Sequence, residues 1–138
     1  MKRRRAMSLI EVVLAIVILG LAVPPLMIQL GTAAHAQGAA MINMNLVQLA
    51  GERVNEVHAD RASPKRGYAH VIAANYPDEK DAGGLAGYQR VTTVREVSAA
   101  DYLTVQPGSG IKRVRVDVTG PDGSTLRVET FVADLPGT

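Results

Sequence analysis

Two hydrophobic patterns follow each other along the first 62 residues. Val12 to Ile28 contains no charged or strongly polar side chain, and apolar residues extend this run on both sides. At 1.5 Å per residue, a run of this length is about enough to cross the hydrocarbon core of a bilayer as a helix. We therefore predict a membrane-spanning helix over residues 7–30.

An amphipathic pattern follows the apolar run. Its apolar positions recur at helical spacing, with polar residues between them; they are Ile42, Leu46, Leu49, Ala50, Val54 and Val57. Ser63-Pro64 ends the pattern, because the residue before a proline disfavours the helical conformation. This predicts a helix over residues 31–62 whose apolar stripe needs a covering surface.

The C-terminal third alternates between apolar and polar residues, as strands do. The predicted strands are residues 88–97, a short one at Leu103 to Gln106, and a hairpin of Ile111 to Thr119 with Thr125 to Ala133. The apolar face of such a hairpin complements the stripe of the helix. The predicted fold is α+β, with the long N-terminal helix packed against a small antiparallel sheet in residues 88–138.

Residues 63–87 read as a polar connection punctuated by Gly and Pro, and its predicted tethers are Tyr68, Val71, Ile72 and Tyr76. Three acidic residues crowd within it: Asp78, Glu79 and Asp81. Carboxylate oxygens suit calcium, which makes a calcium site one hypothesis. The sequence favours a solvated acidic loop without metal or other cofactor, because EF-hand spacing is absent and Lys80 lies among the acids.

The amino-acid composition argues against several classes of function. The 138 residues contain 15 Lys and Arg, and four of these lie at Lys2 to Arg5, so 11 basic and 13 acidic residues remain beyond the leader. With no Trp and one Phe, a nucleic-acid surface is not expected. The absence of Cys excludes disulfides and thiol chemistry. The three dispersed histidines and the lack of a nucleophile motif predict no catalysis.

One charge stands out at the entrance of the apolar run. Glu11 lies just inside it, and a charge at the centre of a membrane helix costs about 2.5–3.5 kcal/mol, with less near an end. If this segment were only a membrane anchor, Leu at this position would avoid the cost of a buried charge. Glu11 is therefore predicted to be functional. The basic cluster before the run predicts a cytoplasmic N-terminus and an exported C-terminal domain. Gly20, Pro24 and Pro25 predict a kink or a locally loosened helix.

The segment Ala6-Met7-Ser8-Leu9-Ile10-Glu11, behind its basic leader, resembles the prepilin signature of type IV pilins and type II secretion pseudopilins. The resemblance implies that a prepilin peptidase removes leader residues 1–6, cutting between Ala6 and Met7, and methylates the new amine of Met7. Glu11 then becomes the fifth mature residue, where the family has its glutamate. Two positions depart from the pattern: Ala6 stands where Gly is usual, and Met7 replaces the common Phe.

The resemblance also implies a pilin-like fold and a role without catalysis. The glutamate of an incoming subunit is expected to pair with the terminal amine of a neighbour, and the helix-breaking residues to unwind partly in the filament. The implied partners are the prepilin peptidase, other pilin or pseudopilin subunits and the inner-membrane assembly platform. The short head and terminal hairpin are similar to minor pseudopilins of the I type, slightly ahead of minor pilins of the V type.

Two other interpretations of the N-terminus remain open. Ala34-His35-Ala36 fits a secretory signal-peptide site, which would release a soluble binding module. An uncleaved signal anchor would instead leave that module on the membrane. Against the signal peptide, the apolar run exceeds the usual 7–15 residues and begins with a glutamate.

Overall fold

Helix α1, Leu9–Ala62, dominates the fold. The computed structural model describes residues 9–134 of the chain. The helix ends immediately before Ser63-Pro64, which confirms the predicted stop. The chain divides into two compact units, residues 1–41 and residues 42–138, and α1 contributes to both.

In the first unit, large apolar side chains lie on the surface of α1. Leu14 is 60% exposed, Leu21 is 74% exposed, and the most apolar stretch of the helix contains no buried residue. Among the described residues, α1 is the one helix long and apolar enough to cross a membrane, by length and composition. Such a surface is stable in lipid and unfavourable in water.

The second unit contains a four-stranded antiparallel sheet. Its strands are β1 (Glu79–Lys80), β2 (Gln89–Glu96), β3 (Ile111–Thr119) and β4 (Thr125–Ala133), paired in chain order. The predicted hairpin is confirmed as β3 and β4, and the preceding strand as β2. The strand predicted at Leu103 to Gln106 is wrong, because only Val105 forms an isolated bridge, to Val97. The sequence interpretation also missed β1, which is only two residues long.

The stripe of α1 and the inner face of the sheet form one hydrophobic core. Leu46, Leu49, Ala50 and Val57 pack there with valines of β3 and β4. Those valines are Val114, Val116, Val118 and Val132. The α+β prediction is therefore confirmed: the second part of a long helix is covered by one face of an antiparallel sheet.

The connection between helix and sheet is pinned to α1. Val71 and Tyr76 are buried as predicted, whereas Ile72 is 44% exposed and that prediction is wrong. Gly83 has a φ of +62°, and a Cβ there would lie 2.7 Å from Leu49 Cδ2. Glycine is thus needed at this position both for its backbone conformation and for the close approach to the helix.

An ion cluster of two buried arginines and a partly exposed glutamate fastens β1 and β2 to the helix. Arg53 and Arg90 are 2% and 7% exposed, and both donate to the carboxylate of Glu79; the contact from Arg90 Nη2 is 2.6 Å. Arg90 Nη1 also donates to the Leu49 carbonyl at 2.8 Å. Because buried guanidinium groups need anionic or carbonyl partners, Glu79 holds strand and helix together.

A buried acid, Asp60, lies near the end of α1. Asp60 accepts hydrogen bonds from Arg66 and from the Tyr76 hydroxyl, the latter at 3.0 Å, and His70 Nε2 lies 3.6 Å from it. Burial alone would raise the pKa of Asp60, but these donors outweigh it and the pKa is lowered. The same burial, together with Asp60, raises the pKa of Tyr76. The ionised carboxylate therefore stabilises the fold.

Glu79→Ala should destabilise the head by about 3 kcal/mol, because it leaves two buried arginines without their shared carboxylate. Glu129→Ala is the matched control: it breaks the partly exposed Arg115–Glu129 pair, at 2.8 Å, and should cost at most about 1 kcal/mol. Chemical unfolding of the full chain in detergent, followed by circular dichroism, measures both. Equal losses in the two variants would contradict the role given to Glu79.

Stability should also fall as the pH drops through the titration of Asp60. A lowered folded-state pKa means that the stabilisation is complete above the ordinary aspartate value, about 3.9, and is lost as pH falls below it. Asp60→Asn should cost about 1–3 kcal/mol at neutral pH and flatten the acid limb of the stability curve. The exposed Asp78→Asn should change neither. An unaltered acid limb in Asp60→Asn would be the contrary result.

Candidate functional site

Glu11 is exposed on α1 among apolar neighbours. Leu9 is 84% exposed and Ile10 is 72% exposed on one side, and Leu14 follows one turn later. The next Asp, Glu, Lys or Arg along the chain is Glu52. A carboxylate in an apolar surface attracts a positive group strongly, since charge interactions strengthen when the medium is apolar.

The two prolines lie inside the helix. α1 continues through Gly20, Pro24 and Pro25 in the structure. Each proline lacks the amide hydrogen that would bond to the carbonyl four residues earlier, so the helix loses its usual donors to the Gly20 and Leu21 carbonyls. Downstream, Thr32 Oγ1 donates to the carbonyls of Gln29 and Ile28, at 2.9 and 3.2 Å. Loosening of residues 20–25 on assembly stays a prediction.

The predicted cleavage and methylation residues, Ala6 and Met7, lie outside the described residues, as does the basic cluster before them. The structure therefore brings Glu11 and the helix-breaking residues onto one element and says nothing of the cut itself. Ala34-His35-Ala36, the alternative secretory site, lies on the exposed surface of α1.

The acids of the connection do not assemble into a metal site. Glu79 binds two arginines, and Asp81 Oδ1 accepts from the Gly87 amide at 2.8 Å. Within residues 9–134, no group of three His, Cys, Asp or Glu side chains is arranged to hold a metal ion. The three acids therefore have different roles: Glu79 holds β1 to the helix, Asp81 stabilises a turn, and Asp78 is exposed.

The histidines are also separate. His58 Nε2 lies 3.0 Å from Thr130 Oγ1, His70 faces Asp60, and His35 is exposed on the helix. An open depression at the end of α1 is lined partly by Arg61, Tyr68 and Asp134. There Arg61 donates to the Ala133 carbonyl at 3.1 and 3.2 Å. These polar groups fasten the helix end to the last strand.

Sequence reasoning missed the buried charges of the head. The predicted apolar stripe did not include Arg53 or Asp60, yet both are buried on α1. Lys112 is buried on the inner face of the sheet, with Nζ 4.0 Å from the centre of the Tyr68 ring. Burial lowers the pKa of Lys112, although Glu96 and Asp134 oppose that effect. A basic residue at an inward position of an alternating strand was the available signal.

Comparisons with known proteins bear on the N-terminus. Residues 1–23 match the prokaryotic N-terminal methylation motif. Comparison with curated proteins and with solved structures gives no match. The motif supports a prepilin-type substrate of prepilin peptidase and a structural subunit rather than an enzyme. The chain thus carries a prepilin-type methylation motif on a pilin-like α+β architecture, consistent with a type IV pilin-like or pseudopilin-like protein.

Proposed function

We propose that this chain is a minor filament subunit, cleaved between Ala6 and Met7, methylated on Met7, and assembled from the inner membrane into a pseudopilus or pilus. The match of residues 1–23 to the methylation motif carries this proposal. Leader residues 1–6 stay in the cytoplasm, residues 7–30 span the membrane, and the head folds in the periplasm. The subunit is a substrate of the processing enzyme and performs no chemistry.

Glu11 gives the assembly its charge pairing. Removal of the leader creates a positive amine at Met7, only four residues before Glu11. The carboxylate of an incoming subunit pairs with the amine of a subunit already in the filament. In a medium of low dielectric constant, such a pair attracts much more strongly than it does in water. Pairing between copies sets the axial register of the helices.

The exposed apolar surface of α1 makes the second contribution to filament assembly. Leu14, Leu21 and Leu26 are each more than half exposed. Lipid covers these side chains before assembly, and neighbouring helices replace the lipid afterwards. Helix association in lipid depends on close packing rather than on water exclusion. The small residues between the leucines therefore favour association, because they let two helices approach closely. Because Pro24 and Pro25 donate no hydrogen bonds to the Gly20 and Leu21 carbonyls, the helix can adjust its packing in the filament.

A type II secretion pseudopilus is the first assignment and a type IV pilus the second. The head is small and carries the hairpin of β3 and β4, and the resemblance to minor subunits rests on these features. The partners are the prepilin peptidase, other prepilin-type subunits and the membrane assembly platform. A minor subunit occupies the tip of the filament or initiates it.

The mature N-terminus tests the processing step. Protein purified from membranes of cells that contain prepilin peptidase should begin at Met7 and carry one N-methyl group, as read by Edman sequencing and intact mass. Ala6→Gly should be cut at least as efficiently, whereas Ala6→Val should accumulate uncut. A start at Gln37 would instead establish secretion, and an intact Met1 would establish a plain anchor.

Glu11→Ala tests the assembly step separately. The variant should insert into the membrane and be cleaved normally, yet its incorporation into sheared filaments should fall at least tenfold, because the charge pair is absent. Glu52→Ala, which removes an exposed acid elsewhere on the same helix, should assemble normally. Quantitative immunoblotting of membrane and filament fractions measures both. Normal incorporation of Glu11→Ala would refute the pairing.

A further inference from the structure

The outer face of the sheet carries arginines in two different situations. Arg115 and Arg127 are each neutralised across the strands: Arg115 Nε is 2.8 Å from Glu129, and Arg127 Nε is 2.6 Å from Asp117. Both pairs follow directly from the register of β3 with β4. This part of the face is therefore internally balanced and contains its own anions.

The other end of the same face is not balanced. Arg95 of β2 and Arg113 of β3 are direct partners in the antiparallel register. Among the described residues, no carboxylate oxygen lies within 4.0 Å of either guanidinium group. Like charges placed directly opposite each other destabilise a sheet. The pair thus opposes folding and concentrates positive charge on an accessible surface.

An exposed aromatic pair borders these arginines. Phe131 is the register partner of Arg113 on β4 and is 44% exposed. The ring of Tyr102, 46% exposed, meets it edge-on, with the ring centres 5.4 Å apart. Arginine and tyrosine beside apolar surface are typical of the residues that dominate binding energy in protein interfaces.

The loop that carries Tyr102 is held in one shape. Tyr102 has a φ of +55°, which is unusual for a residue with a side chain, and its amide donates to the Ser98 carbonyl at 2.9 Å. Asp101 accepts from the Thr104 hydroxyl and from the amides of Leu103 and Thr104. These bonds, the Thr104 hydroxyl first, lower the pKa of Asp101 to about 2. The turn therefore keeps its anion at neutral pH, and Tyr102 is presented in a fixed position.

We propose that the surface formed by Arg95, Arg113, Phe131 and Tyr102 is a docking site for a carboxylate-rich segment of a partner protein. Planar guanidinium groups bind carboxylates through two parallel hydrogen bonds, and two of them side by side suit adjacent acidic side chains. The aromatic edge gives the segment an apolar contact that a free anion does not use. This site does not depend on cleavage at Met7 or on filament assembly.

Binding of defined peptides tests the proposal. The full chain is placed in nanodiscs of neutral phospholipid and titrated with fluorescein-labelled hexaglutamate, with hexaglutamine as the uncharged control peptide, by fluorescence anisotropy. Hexaglutamate should bind and hexaglutamine should not. Affinity should fall as salt rises, because exposed charge pairs are screened. No binding of hexaglutamate at low salt would overturn the proposal.

Matched variants locate the site. Arg95→Gln with Arg113→Gln should weaken hexaglutamate binding at least tenfold, and Phe131→Ala should weaken it at least threefold. Lys65→Gln with Lys80→Gln removes the same charge from the connection and should change the affinity less than twofold. Equal weakening by the two double variants would overturn the site. So would equal competition by inorganic phosphate, or preferential binding to phosphatidylglycerol vesicles.

Thermal unfolding separates this role from a structural one. Because Arg95 and Arg113 face each other as like charges, Arg113→Gln should leave the unfolding midpoint unchanged or raise it while it reduces binding. A surface kept at the expense of stability fits a binding role. A clearly lower midpoint in Arg113→Gln would assign the arginine to the fold and would overturn the proposal.

Discussion

Apolar side chains line helix α1 along most of its length, and their need for cover governs the rest of the structure. Burying one large aliphatic side chain is worth about 1.5–3 kcal/mol, so a helix of 54 residues with an uncovered stripe is not stable in water. In the second unit, the sheet provides the cover, and the core lies between Leu49, Val57 and the valines of β3. In the first unit, the apolar side chains are exposed, and lipid or other helices have to provide it.

Charged pairs fix the packing register, which hydrophobic burial alone does not specify. Apolar surfaces pack in many registers, whereas Glu79 reaches both Arg53 and Arg90 only when β1 lies against one place on the helix. Asp60 fixes the following turn in the same way, through Arg66 and Tyr76. In the proposed filament, Glu11 does this between subunits: apolar helices associate, and the carboxylate selects the register. The same physical rule then operates inside the head and along the filament.

The periodic parts of this fold were predictable from the sequence, and the non-local parts were not. The helix stop at Ser63-Pro64 depends on the local chemistry of proline, and the hairpin depends on apolar–polar alternation. Both were therefore predicted correctly. Strand β1 has only two residues and exists because Glu79 and Lys80 pair with β2. The burial of Arg53 depends on Glu79, 26 positions later, which no helical period reveals. Ile72 was misplaced because neighbouring Val71 takes the inward position.

The candidate site divides in the same way. Glu11 could be proposed from the sequence because a charge in an apolar run is visible there, and the basic leader and the small residue before Met7 are equally local. The opposed arginines of the sheet became apparent only from the register, since Arg95 and Arg113 are 18 positions apart in the sequence. The loop acids that crowd together in the sequence have different partners, because Glu79 pairs with Arg53 of α1 and Arg90 of β2, whereas Asp81 accepts from the Gly87 amide.

Photo-cross-linking from the apolar helix tests the central claim most directly. With benzoylphenylalanine at position 14, one turn after Glu11, irradiation of cells that contain the assembly machinery should attach the mature chain to another prepilin-type subunit. Mass spectrometry identifies the attached protein, and Glu11→Ala should abolish the product. Recovery of a soluble monomer lacking residues 7–36, or of adducts with lipid alone, would contradict the account.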